Sequence, residues 1–129
     1  MQRFKTRSQF QAVLAGELVA KTNHFALHCL DLSASNAAHT LTLFVVGCTA
    51  LGAMTPKRWA KRAVTRNAIK RQIYTVCAKL ECASLQMAYL VRLRREFSRQ
   101  DFVSASSTEL KEAVRTELQT LIQNHKALA

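Results

Sequence analysis

The sequence predicts an α+β domain in which helices pack on one central sheet. Three observations predict it. Two long apolar stripes run at helical spacing, one through Ile69 and one through Leu110. Short β-branched or alternating runs lie between the helical segments. Hydrophobic residues make up 49% of the 129 residues, enough for a real core without staples. The whole chain, 1–129, reads as a single domain, with no repeat, linker or low-complexity segment.

The first helix is expected at residues 7–15. Thr6-Arg7-Ser8-Gln9 fits a capping box, Phe10, Val13 and Leu14 follow at i, i+3, i+4, and Gly16 supplies a stop. Residues 24–30 read as a strand with Phe25, Leu27 and Cys29 on one face. Residues 31–39 read as a loop. Leu41 to Val46 gives the clearest strand pattern, and a short one runs from Ala50 to Thr55, limited by Pro56. A helix is predicted over 57–80, with Ile69, Ile73, Val76 and Leu80 as its buried stripe. Met87 to Leu93 reads as a strand. Ser106-Ser107-Thr108-Glu109 then opens a last helix, whose buried face is Leu110, Val114, Leu118, Leu121 and Ile122.

Charge narrows the function classes. The formal net charge is +11, which points to a polyanionic partner. A disordered basic tail is excluded by the apolar content. No apolar run approaches the roughly 18–20 residues of a membrane span, and no apolar stretch follows the basic N-terminus as in a signal peptide. A cytoplasmic protein is expected. Cys29, Cys48, Cys77 and Cys82 lack zinc-site spacing and read as buried thiols in a reducing compartment.

The cations are unevenly placed. Residues 57–71 hold Lys57, Arg58, Lys61, Arg62, Arg66, Lys70 and Arg71 and no acid. Residues 92–99 add Arg92, Arg94, Arg95 and Arg99, and the N-terminus adds Arg3, Lys5 and Arg7. The last helix, by contrast, nearly balances its charges. With Ile69 set to zero on a helical wheel, Ile73, Val76 and Leu80 fall within about 40°, while Arg66, Asn67, Lys70, Arg71 and Tyr74 fan out from about 60° to 200°. Arginine grips phosphate with two parallel hydrogen bonds and lysine acts as a mobile charge. Asn67 donates and accepts, which suits a sugar hydroxyl or base edge. A solvated face normally mixes signs so that i, i+4 pairs form; like charges at Arg62, Arg66 and Lys70 favour a polyanion instead.

Ala63-Val64-Thr65-Arg66-Asn67-Ala68-Ile69-Lys70-Arg71 resembles the signature of the bacterial ribonuclease P protein subunit. Lys57-Arg58 is similar to the basic pair upstream of that signature. Ser8-Gln9-Phe10 with Val13-Leu14 is similar to the family's first helix, and Ala88 to Leu93 to its last strand. The resemblance runs through nearly the whole chain. It implies an αβββαβα order, a mixed sheet and a left-handed βαβ crossover. It also implies a subunit that binds a catalytic RNA and the single-stranded 5′ leader of precursor tRNA, with Mg²⁺ held mainly by the RNA, no catalytic or metal-ligating residue of its own and no small-molecule cofactor.

Carried over by position, Lys57, Arg58, Lys61, Arg62, Arg66, Asn67, Lys70 and Arg71 face the catalytic RNA, and Phe10, Leu14, Phe25 and His28 lie at the leader. Leu14 stands where the family often has a second aromatic, and His28 replaces a strand aromatic. Aromatic stacking contributes about 1–3 kcal/mol per base, so the leader is expected to be held more by charge here. The segment 33–48 is longer than the family's usual loop. Phe10 is equally readable as core, and Trp59 either stacks on a base or anchors the helix start.

Two other functions compete. One is a ribosomal or general structured-RNA-binding protein. The other is a protein-only nuclease, which needs clustered carboxylates for Mg²⁺. The eight acids (Glu17, Asp31, Glu81, Glu96, Asp101, Glu109, Glu112, Glu117) are scattered, which argues against it.

Overall fold

The structure is a computed structural model that describes residues 2–31, 50–77, 87–97 and 108–128. Eight elements follow one another: β1 (Gln2–Arg3), α1 (Arg7–Leu14), β2 (Glu17–Lys21), β3 (Phe25–Asp31), β4 (Ala50–Met54), α2 (Ala63–Cys77), β5 (Met87–Leu93) and α3 (Thr108–Leu128). The strands form one mixed sheet in the order β1-β4-β5-β3-β2. β4 runs parallel to both β1 and β5, while β3 is antiparallel to β5 and β2. The parallel β4–β5 pair requires a crossover, and α2 lies in it.

Alternation along β3 divides the residues between two faces. Phe25, Leu27 and Cys29 join the larger core, with Leu51, Tyr89, Val91 and Leu93 from the neighbouring strands. α2 closes that face with Ile69, Ile73, Val76 and Cys77, and α3 with Leu110, Val114, Leu118, Leu121 and Ile122. On the other face α1 packs Val13 over Ala50, Ala88 and Leu90, beside Phe4. Phe4 and Phe10 meet edge-on, centroids 5.1 Å apart. Phe4 also explains Gly52: a Cβ there would lie 2.3 Å from Cδ2 of the Phe4 ring.

The capping box of α1 is present. Thr6 Oγ1 accepts from the Gln9 amide at 3.3 Å, and Gln9 Oε1 accepts from the Thr6 amide at 3.0 Å. The expected strand Met87–Leu93 and the last helix are also found.

Two strands are additions to the expected elements, and one expected boundary needs correction. β1 has only two residues, too few to leave a pattern. β2 was not anticipated because its register shifts between Leu18 and Ala20, which breaks the two-residue alternation. The helix predicted from residue 57 starts at Ala63. Pro56 O accepts from the amides of Trp59 and Ala60, closing one turn, and the chain then passes Lys61 and Arg62 before α2 begins. The strand 41–46, the segment 33–48, Cys48, Cys82, Leu80 and Ser106-Ser107 lie outside the described residues.

α3 is tied to the β2–β3 turn by one carboxylate. Glu117 Oε2 accepts from Thr22 Oγ1 (2.9 Å) and the His24 amide (2.8 Å), and Oε1 lies 2.7 Å from His24 Nδ1. The His24 ring stacks on Phe97 at 4.0 Å. Arg94 Nη1 donates to the carbonyls of Thr22 and Asn23, fixing the same turn.

Candidate nucleic-acid interface

The outer face of α2 follows from helical spacing. Ile69, Ile73, Val76 and Cys77 turn inward, so Asn67, Lys70, Arg71, Tyr74 and Thr75 share the opposite side. They line a hollow of about 480 Å³ together with Arg3 from β1. Parallel pairing with Leu51 brings Arg3 to this side of the sheet. Its guanidinium carbon lies 4.1 Å from the Tyr74 ring centroid, a cation–π contact. Asn67 and Arg71 are exposed, and Lys70 is half-buried.

The seven cations of 57–71 therefore do not all stand on one helix. Arg66, Lys70 and Arg71 do. Lys57, Arg58, Lys61 and Arg62 are exposed on the turn that leads into it. Arg66 joins the two parts: its Nη1 donates to Ala60 O at 3.1 Å and Lys61 O at 2.9 Å. One guanidinium nitrogen of Arg66 thus holds two backbone carbonyls of the turn. Trp59 packs partly buried against the larger core, with Arg58 over its ring at 5.2 Å, so it anchors the turn.

A second surface lies on the α1 side of the sheet. Leu18 pairs with His28, which places both on this face beside α1. The next row across the sheet is Lys21, Ala26, Arg92 and Met54. Phe10 is half-buried against Phe4, and Leu14 and Leu18 are 38% and 48% exposed. His28 is only 7% exposed, and its Nε2 accepts from Arg92 Nε at 3.3 Å. Burial, and then the Arg92 charge, hold the imidazole pKa below its ordinary value. A neutral ring with Nε2 as acceptor carries its proton on Nδ1, which is buried with no partner among the described residues.

Of the four residues expected at the leader, this surface brings together Phe10, Leu14 and His28. Phe25 does not join them. It is fully buried on the opposite face, against Phe97 and the larger core, because adjacent strand residues point to opposite sides. Arg3, Tyr74 and Arg92 were not singled out as site residues. Tyr74 shares α2 with Asn67 and Lys70; strand pairing between distant segments brings Arg3 and Arg92 to their sites, and the N-terminal charge group and the helical wheel are the available signals for Arg3 and Tyr74.

Charged and aromatic groups at both surfaces, joined on α2 by the Asn67 amide, suit phosphates and bases. Among the described residues no three His, Cys, Asp or Glu gather as metal ligands. Cys29 and Cys77 are buried thiols, and burial pushes Cys77 up to about 12. No described helix is long and apolar enough to cross a membrane.

A family model described as Ribonuclease P matches residues 1–122. The fold is shared with the RNase P protein of Staphylococcus aureus, at TM-score 0.66 and 19% identity, covering 100% of this chain and 99% of that one. It is shared with the RNase P protein of Thermotoga maritima at TM-score 0.60 and 15% identity, covering 95% and 96%. A search of curated proteins returns no match.

Proposed function

The chain belongs to the ribonuclease P protein family and is a protein subunit of that tRNA-processing ribonuclease, and from that premise we propose a two-sided RNA-binding role for it. The outer face of α2, with the turn 57–62, holds the catalytic RNA of the enzyme. The α1 side of the sheet holds the 5′ leader of precursor tRNA. Cleavage is carried out by the RNA, which holds Mg²⁺. The cytoplasm is the expected compartment.

The observation that carries this reading is the segregation of groups. Cations and an amide cluster on α2, facing away from the larger core. Exposed Leu14 and Leu18, half-buried Phe10 and the His28–Arg92 pair stand on the other side of the sheet. One surface suits a structured phosphate backbone, and the other a single strand with unstacked bases. Neutralising phosphate repulsion and positioning the leader lower the demand for free Mg²⁺ without any protein-borne chemistry.

Reconstitution tests it. Added to ribonuclease P RNA and precursor tRNA at limiting Mg²⁺, the protein is expected to raise the rate of 5′ cleavage. No stimulation favours a ribosomal or general RNA-binding protein. Specific 5′ cleavage by the protein alone contradicts the helper role.

A further inference from the structure

The hollow between β1 and α2 has features that phosphate binding alone does not require. Lysine and arginine on a convex helix suffice for a phosphate backbone. Here the surface is concave, and its volume of about 480 Å³ lies in the about 300–1,000 Å³ range of small-ligand sites. One wall is aromatic, with the Arg3 guanidinium resting on Tyr74. The exposed Asn67 amide supplies both donor and acceptor. Thr75 donates its hydroxyl hydrogen to Arg71 O at 2.8 Å, leaving its oxygen as an acceptor. Among the described residues the lining has three cations and no carboxylate.

We infer that this hollow takes one unstacked nucleotide of the partner RNA, with its base against the Arg3–Tyr74 ledge and its phosphate on Lys70 and Arg71. The inference rests on the reading of α2 as the catalytic-RNA face and specifies what that face receives. Guanidinium planes and aromatic rings both stack on splayed bases. The ledge is prepared before RNA arrives, because pairing of β1 with β4 fixes Arg3 at Tyr74. Asn67 reads the base edge or the ribose 2′-hydroxyl, the group that separates RNA from DNA.

Nuclear magnetic resonance titration of the full chain tests this with two probes, adenosine 5′-monophosphate and ribose 5-phosphate. The nucleotide is expected to move the Arg3 Nε–H, the Asn67 side-chain amide and the Tyr74 ring signals, and the sugar phosphate only the Lys70 and Arg71 signals. Identical perturbation by both probes overturns the inference. In parallel, Arg3→Lys keeps the charge but loses the plane. It is expected to weaken binding to ribonuclease P RNA by about tenfold with an unchanged salt slope, while Tyr74→Phe binds as the parent protein does. Parental affinity in Arg3→Lys also overturns it. The mononucleotide titration uses no catalytic RNA, so its failure is distinguishable from a failure to stimulate cleavage.

Discussion

Arg92, on β5, donates its Nε–H to Nε2 of buried His28 on β3 across 3.3 Å. The bond needs a neutral imidazole, because a protonated ring has no acceptor. His28 is thereby a structural reporter of pH. Its folded-state pKa is lowered, by burial first and Arg92 second. The unfolded chain then binds the proton more readily, and stability rises with pH between the lowered folded value and about 6.5. The contribution is fully present above about 6.5 and is lost as pH falls toward the folded value. Urea unfolding at pH 5 and pH 7.5 is expected to show a larger stability difference for the parent protein than for His28→Gln. Equal differences contradict the assignment.

Arg66 and Arg71 are both cations of α2, yet the structure gives them different roles. Arg66 grips Ala60 O and Lys61 O, while Arg71 is exposed on the outer face. Arg71→Ala is expected to weaken RNA binding and flatten its salt slope by about one unit, with an unchanged melting temperature. Arg66→Ala is expected to do the same and also to lower the melting temperature, because the turn 57–62 loses its clamp. Salt-dependent binding isotherms and thermal melts check both. Equal melting temperatures for the two variants contradict the clamp.

Glu117 gathers Thr22, the His24 amide and the His24 ring into one network linking α3 to the β2–β3 turn. Hydrogen bonds to a charged group contribute about 1.5–3 kcal/mol each when partly buried, but these are coupled and do not add. Glu117→Ala is expected to cost about 2 kcal/mol in total by urea unfolding. A loss within about 0.5 kcal/mol of zero contradicts the link.

Gly52 lies under the Phe4 ring, with 2.3 Å between an added Cβ and Phe4 Cδ2. Gly52→Ala is expected to destabilise by about 1–3 kcal/mol through overpacking. In the Phe4→Leu background the same change is expected to cost less, since the flat ring is gone. A double-mutant cycle measures the coupling, and strict additivity contradicts direct contact.

Periodicity and capping made much of this fold legible. Thr6 and Gln9, the stripe Ile69–Ile73–Val76 and the alternation around Leu90 each express a local rule that packing then reinforced. β1 and β2 were not legible, because two residues carry no period and a register shift destroys one. The start of α2 was misplaced because 57–62 lacks helix breakers, and the bonds that hold it outside the helix run to Pro56 O and the Arg66 side chain.

The same distinction holds for the sites. Asn67, Lys70 and Arg71 follow from one helix and were readable. Arg3 reaches Tyr74, and Arg92 reaches His28, only through strand pairing between distant segments. Phe25 stands three positions from His28 on β3, and that odd separation turns its side chain to the opposite face of the sheet, into the larger core.

The two-sided reading is tested most directly by site-directed photo-crosslinking in the reconstituted holoenzyme. A crosslinker replacing Arg71 is expected to capture the ribonuclease P RNA, and one replacing Leu14 to capture the 5′ leader of precursor tRNA. Capture of the same RNA from both positions, or of neither, would contradict the division of the protein into a catalytic-RNA face and a leader face.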